Sequence, residues 1–394
     1  MSALISPFKK SGANFFVLGL IILLVSCSKN EQSDSQSQRT VIVYMVANNN
    51  LYQNAIADIN EMEKGCGNYN GHLIVYLCPQ NENPYLLEIQ SDNSNEIVSK
   101  VVKRYPQQNS CSVSVMQSVY NDIMELYPAK SYGTILWSHA TGWLPSNTPS
   151  IFTLRKESMV SSDVPSLKSF GDDNGKKMEI EELAEALPKN LDFIIFDACL
   201  MANVESAYEL RNNTAYILGS STEVLSTGYP YNEIMPYLFS TEANLEKIAE
   251  KYFNYYDEKE GLYRSATASL IKTSELEGLA AACKQIVDNN EIQTFNLGDI
   301  QKLDTWHNPV FFGFMSFMKS AYANTNLDAL SNQVNKVVIY ERHTPKFFNE
   351  IELKIHSGIS AYIPNIYSGS LNDAYYRTKW ATASGFIKYQ QVIP

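Results

Sequence analysis

The run Leu191-Asp-Phe-Ile-Ile-Phe196 leads through Asp197-Ala198-Cys199 into a segment with helical spacing. A short apolar run rich in Ile and Phe reads as a strand buried on both faces of a parallel sheet. Over residues 201–210 the apolar positions Met201, Val204, Tyr208 and Leu210 fall mostly on one side of a helix. Cys199 therefore stands where a buried strand ends and a helix begins. That is the C-terminal edge of an α/β sheet, where such folds bind their ligands. The N–H groups of a helix start would favour a thiolate there. A free cysteine is also often no more than a small core residue, and spacing alone leaves both readings open.

The same strand signature recurs at residues 40–47 (Thr-Val-Ile-Val-Tyr-Met-Val-Ala), 72–78 and 132–138, with a further strand at 216–221. Helical patterns at 51–62, 113–127 and 178–187 separate these runs, and a hairpin is expected from 85–89 and 97–102 around a Ser-Asp-Asn-Ser-Asn turn. Alternation of this kind predicts an α/β fold with a mostly parallel sheet covered on both faces. Beyond it, helices are expected at 244–256, 275–289 and 326–337, and strands at 266–271, 338–340 and 358–363. These form either a continuation of the sheet or a small C-terminal subdomain. Residues 144–175 are polar and poor in pattern, as a functional or protease-sensitive loop would be.

With 394 residues, 45% of them hydrophobic and 19% charged, the chain can bury a large core and is not a disordered protein. An excess of 42 acidic over 31 basic residues, with no long basic run, excludes nucleic acid as the expected partner. The six cysteines (27, 66, 78, 111, 199, 283) include no CxxC pair, and none of the five histidines forms a metal motif with a nearby Cys or His. No metal site and no organic cofactor are expected. Asp172-Asp173-Asn174-Gly175, followed by Glu181, has some flavour of a calcium loop, but Phe170 stands where the first ligand belongs. The segment reads instead as an Asn-Gly turn before the helix at 178–187, which leaves calcium as an open but unsupported alternative.

Residues 1–26 have the form of a targeting segment. Lys9 and Lys10 precede an apolar stretch, residues 15–25, too short to span a bilayer comfortably. It ends Leu24-Val25-Ser26-Cys27, which resembles the bacterial lipobox, so Cys27 is expected to become the lipidated first residue of the mature chain. Removing the segment takes the formal charge from −11 to −13, since Lys9 and Lys10 are its only charges. Residues 27–39, rich in Ser and Gln, read as a flexible tether, and residues 40–394 as the folded body. The expected location is the cell envelope, lipid-anchored and extracytoplasmic.

His139 closes the strand at 132–138 as Cys199 closes the one at 191–196. An imidazole beside a thiol lowers the thiol pKa and can return a proton to a leaving group. On neighbouring parallel strands the two side chains would share one sheet edge. His72, His307, His343 and His356 are less well placed for that role.

Ser138-His139-Ala140-Thr141-Gly142-Trp143 and Phe196-Asp197-Ala198-Cys199-Leu200-Met201-Ala202, with Glu205 beyond, resemble the two signature blocks of the clostripain family of cysteine peptidases. The opening strand at 40–47, residues 178–187 and Ser357-Gly358-Ile359-Ser360-Ala361-Tyr362-Ile363-Pro364 resemble the same family. The resemblance implies a caspase-like three-layer α/β/α sandwich and endopeptidase activity on peptide or protein substrates. It implies His139 as general acid/base, Cys199 as nucleophile, and an oxyanion site built from the backbone N–H groups of Cys199 and of the turn at Ala140. It places Asp197 in the S1 pocket, with preference for cleavage after Arg or Lys, although an Asp at a strand end is also a common cap.

Two positions depart from the family pattern. Ala140 replaces the usual Gly and gives up freedom at positive φ. In Glu223-Val224-Leu225-Ser226-Thr227-Gly228, Thr227 occupies the place of a second S1 carboxylate, which weakens the match to a guanidinium. Relatives cut themselves between the His and the Cys. The corresponding residues 144–177 contain Arg155, Lys156, Lys168, Lys176 and Lys177 as candidate processing sites. The alternative to an active peptidase is a lipid-anchored surface binding protein on the same fold.

Overall fold

The computed structural model describes residues 37–148, 170–365 and 368–391. The targeting segment, Cys27, most of the tether, and Arg155, Lys156 and Lys168 lie outside the described residues.

Strand β1 (Ser37–Val46) is the apolar run expected near residue 40, and every side chain from Val41 to Ala47 is fully buried. Burial of each Val or Ile there contributes about 1.5–3 kcal/mol. The chain continues through α1 (Tyr52–Gly65), β2 (Gly71–Cys78), the hairpin β3 (Tyr85–Glu88) and β4 (Lys100–Arg104), α2 (Val113–Leu126) and β5 (Ala129–Trp137). After it come α3 (Ile180–Ala186), β6 (Leu191–Asp197), α4 (Val204–Leu210) and β7 (Thr214–Gly219). All of these were legible as elements. Then follow α5 (Tyr231–Leu238), α6 (Leu245–Asp257), β8 (Thr267–Lys272), α7 (Leu276–Asn289), β9 (Phe311–Gly313), α8 (Phe314–Ala321) and α9 (Asp328–Val337). The chain closes with β10 (Val338–His343), the short β11 (Lys346–Phe347) and β12 (Ile351–Glu352), β13 (Ser360–Tyr362), α10 (Gly369–Tyr375) and α11 (Lys379–Ala383).

Nine strands form one sheet in the order β10-β8-β7-β6-β5-β1-β2-β3-β4. The central five, β7-β6-β5-β1-β2, are parallel, and antiparallel strands extend the sheet on both sides. The C-terminal half thus continues the sheet through β8 and β10, which resolves the choice left open by the sequence. The chain runs outward from β1 to β4, then returns to β5 on the other side of β1 and runs the opposite way. Right-handed crossovers of opposite direction put α1 on one face and α3 and α4 on the other. α1, α5 and α6 pack together, as do α2, α3 and α4 with α7 and α11 behind them. This is the three-layer sandwich. Among the described residues no helix is long and apolar enough to cross a membrane.

Candidate active site

The order of the sheet reverses between β1 and β5, and at such a switch point the loops leaving the two strands part and open a crevice. In the register of β5 with β6, Trp137 pairs with Asp197. His139 and Cys199 each stand two residues further on, so the parallel pairing carries both to one edge, and both are buried. His139 Nε2 lies 2.8 Å from Oδ1 of Asn50, in the loop after β1. An amide oxygen only accepts, so Nε2 carries the proton and Nδ1 is the basic nitrogen of the neutral ring. Ser138 Oγ donates to Val46 O (2.8 Å) and accepts from Asp172 N–H (3.2 Å), while His139 O accepts from Gly171 N–H (3.0 Å). The His loop is thereby tied both to β1 and to the segment that leads into α3.

Val224 N–H points at Cys199 Sγ from 3.2 Å, and Sγ lies 3.7 Å from Val224 O. The spacing predicts a helix from Met201, but α4 begins at Val204, so its start does not adjoin the thiol. The residues between form a tight turn. Leu200 adopts φ +62°, a conformation uncommon for a non-glycine residue, and strain of this kind persists where the surroundings over-determine it. Leu200 N–H donates to Thr222 O (2.9 Å), and Leu200 O accepts from Asn203 Nδ2 (2.7 Å). Asn203 Oδ1 also accepts from Ser206 N–H (2.7 Å), capping α4.

Asp197 is buried beneath this edge. Its Oδ2 accepts from Tyr231 Oη (2.9 Å) and Tyr229 N–H (3.2 Å). A Cβ at Gly228 (φ +64°) would fall 2.5 Å from that oxygen, so only glycine lets the chain pass so close. Burial pushes the Asp197 carboxyl up to about 6; the two hydrogen bonds oppose this and Glu61 adds to it. Asp58 of α1, bonded to Trp137 Nε1 at 2.7 Å, is held well above the usual carboxylate range by burial and by Asp197. Among the described residues no Lys or Arg is a cause of the shift at Asp58 or Asp197.

Thr227 is exposed and does not line the cleft beside the thiol. Ala140 is buried with φ outside the positive region, and the left-handed position of its turn is Gly142 (φ +61°). The loss of glycine at 140 therefore costs the turn nothing. Asn174 (φ +51°) and Gly175 (φ +86°) form the expected Asn-Gly turn inside the Asp173–Lys176 bridge. Asp173 accepts from Asn48 Nδ2 (2.8 Å) and Ser110 N–H (2.7 Å), and Asp172 Oδ1 from Gly175 N–H (2.6 Å). These carboxylates serve the turn and its neighbours.

Sequence reasoning did not pick out Asn50, Asp58, Leu200, Val224 or Tyr231. Asn50 was visible only as part of an all-Asn loop after β1, and Val224 acts through its backbone, which no side-chain pattern can flag. The cleft bounded by Trp137, Asp197, Cys199, Val224, Leu225 and Ser226 encloses about 20 Å³, room for about one water. Larger cavities of about 660 and 640 Å³, around Gln301 and Phe312 and around Arg39 and Asp192, include neither His139 nor Cys199. The chemistry, not the volume, marks the site.

The model of the clostripain family (C11 peptidases) matches residues 43–391. An inactive zymogen C11 protease from Parabacteroides distasonis is 30% identical, with a TM-score of 0.75 over 88% of this chain and 97% of its own. A secreted C11 cysteine protease from Bacteroides thetaiotaomicron, solved with an irreversible peptide inhibitor, is also 30% identical, with a TM-score of 0.75 over 89% of this chain and 99% of its own. A cysteine protease from B. fragilis is 31% identical, with a TM-score of 0.51 over 55% of this chain and 97% of its own. No curated protein sequence matches the chain.

Proposed function

The chain belongs to the clostripain family of cysteine peptidases, and we propose that it is an endopeptidase working through a His139/Cys199 dyad and cleaving after Arg or Lys. The observation that carries this reading is the β5–β6 register, which brings the imidazole and the thiol to one edge. Cys199 attacks the scissile carbonyl as a thiolate, and His139 takes the thiol proton and returns it to the leaving amine. The N–H groups of Ala140 and Cys199 hold the oxyanion.

Preference for a basic P1 residue is supported by the carboxylates under the thiol. Asp197 lines the cleft, and Asp58 and Glu61 are close enough to raise its cost of ionisation, directly or through each other. A guanidinium or ammonium entering there gains matched charge. Thr227 supplies no carboxylate, which leaves Asp197 as the acidic residue that lines the cleft.

The cleft beside the thiol encloses only about 20 Å³, which supports a precursor that gains activity when it is cut within residues 144–177. Lys176 O accepts from Asp173 N–H (2.9 Å) and Met178 N–H donates to Phe170 O (3.1 Å). Those bonds hold the backbone after Lys176 and Lys177, which disfavours cleavage there and leaves Arg155, Lys156 and Lys168. The mature protein is anchored in the cell envelope through lipidated Cys27.

The test uses residues 28–394, wild type and Cys199→Ala, with fluorogenic peptides bearing Arg, Lys or uncharged P1 residues. Cleavage by wild type alone, after Arg or Lys, with the chain split in two only when Cys199 is present, is the expected result. Cleavage after uncharged residues retains the dyad and discards the acidic pocket. No cleavage by either protein, with the loop whole or nicked, turns the reading to a surface binding protein.

A further inference from the structure

Among the described residues, one group of His, Cys, Asp and Glu side chains converges in the manner of metal ligands. It comprises Glu341, His343 and His356, each offering an atom within 4.8 Å of the others. No spacing pattern announces it, because its members come from an edge strand and a distant loop. Glu341 and His343 sit two apart on β10, opposite Ser269 and Thr267 of β8, and residues two apart share a sheet face. His356 arrives from the segment before β13. There Gly358 (φ +76°) lets the chain press onto β10: a Cβ would lie 2.5 Å from Val338 Cγ1 and 3.1 Å from Glu341 Cγ.

The outer hydrogen bonds orient both rings toward the glutamate. His343 Nδ1 lies 3.0 Å from Thr344 O. A carbonyl only accepts, so Nδ1 carries the proton and Nε2, 4.0 Å from Glu341 Oε1, keeps its lone pair. His356 Nδ1 lies 2.5 Å from Glu341 Oε1, and its Nε2 lies 2.6 Å from Ser221 Oγ. An imidazole that offers one nitrogen inward while the other donates to a protein oxygen is the usual arrangement of a ligating histidine. The His356 side chain is fully buried, whereas those of Glu341 and His343 are each 28% exposed, which leaves one side open for a water ligand.

We propose that Glu341 Oε1, His343 Nε2 and His356 Nδ1 form a binding site for a divalent transition-metal ion, zinc by its ligand set. Two imidazoles and one carboxylate with an open fourth position are a common three-ligand zinc set, at about 2.0–2.2 Å per ligand. When the ion takes the place of the proton between His356 and Glu341, that proton passes to Nε2, which then donates to Ser221 Oγ, and the ring stays neutral. Ser221, His356 and Glu341 also stand in the order of a nucleophile, base and acid, but Ser221 is fully buried and no acyl group reaches its hydroxyl. Ser221 also lies three residues before Val224, whose N–H meets the Cys199 sulfur. The ion would clamp β10, the 356 loop and the strand end behind the catalytic thiol.

The test uses the full chain carrying Cys199→Ala, so that zinc cannot be taken up by the catalytic thiol. The protein is stripped with a chelator and titrated with Zn²⁺ against a chromogenic indicator. One equivalent should bind. Glu341→Gln and His343→Ala, both at partly exposed positions, should each weaken it at least tenfold, and His72→Ala should leave it unchanged. Zinc absorption-edge spectroscopy of the parent protein should read two imidazoles with otherwise oxygen ligands, a result that does not depend on any variant folding. No bound equivalent, an equivalent that survives both substitutions, or sulfur in the zinc shell would overturn the proposal.

Discussion

Oδ1 of Asn50 and Nε2 of His139 lie 2.8 Å apart, joining the loop after β1 to the loop after β5 across the switch point of the sheet. No carboxylate is needed to orient the imidazole, because an amide oxygen fixes the same tautomer. With His139 as the proposed general base, Asn50 takes the part of a positioning residue. Asn50→Ala should lower kcat/KM by roughly tenfold to a hundredfold, since a general base held in the wrong tautomer or rotamer loses most of its contribution. Asn50→Asp keeps the acceptor and adds charge, so it should restore part of the rate and move the acidic limb of the pH–rate profile upward. A loss that tracks thermal stability in both variants, with no change in pH profile, would make Asn50 merely structural.

Asp197 is raised to about 6 by burial, and a basic P1 side chain needs it ionised. With Lys or Arg substrates kcat/KM should therefore climb as pH rises through about 6, beyond any limb shared with uncharged substrates. Asp197→Asn should remove that limb and cost roughly a hundredfold on basic substrates, the usual order for losing one partner of a buried charge pair, with much less effect on uncharged ones. Equal losses on both substrate classes would place Asp197 in the fold of the site rather than in its specificity.

The parallel core was legible because each of its strands is an apolar run on which both faces are buried, and the helices between them carry a clear stripe. Cys199 and His139 were legible for the same reason: each directly follows such a run. Other elements were hidden. α5 contains Pro236, which a pattern reading takes as a helix stop. α8 buries Phe314, Met315, Ser316, Phe317 and Met318 together, and a helix apolar nearly all round shows no period. β9 is three residues long and was not read as a strand; it pairs with β13, which lies inside the strand expected at 358–363. The left-handed Leu200 and the Val224 N–H are consequences of chain path, which side-chain identity does not encode.

Asn203 holds the Leu200 turn and the start of α4 with one fully buried amide. Asn203→Ala removes a helix cap, about 1 kcal/mol, and strands the buried Leu200 carbonyl at about 1–3 kcal/mol more. A total loss of about 2–4 kcal/mol should appear in urea denaturation. Because the same turn sets the direction of Cys199, kcat should fall more than KM rises. Unchanged kinetics in a destabilised variant would separate the cap from the catalytic geometry.

Glu205 gives the clearest link between burial and pH. It is fully buried on α4, its Oε1 accepts from Tyr362 N–H (2.9 Å), and its Oε2 has no partner among the described residues. Burial pushes its carboxyl from 4.5 up to about 8, so at neutral pH the folded chain holds a proton that the unfolded chain has released. The folded state then binds more protons than the unfolded state between about pH 4.5 and 8, and this group makes stability fall as pH rises across that window. Glu205→Gln keeps an acceptor for Tyr362 and carries no charge at any pH. The variant should match or trail wild type near pH 4.5 and surpass it by on the order of a few kcal/mol at pH 8, with no further divergence above. Urea midpoints at pH 5, 7 and 8.5 read this directly, and parallel pH slopes for the two proteins would show that Glu205 is ionised in the fold after all.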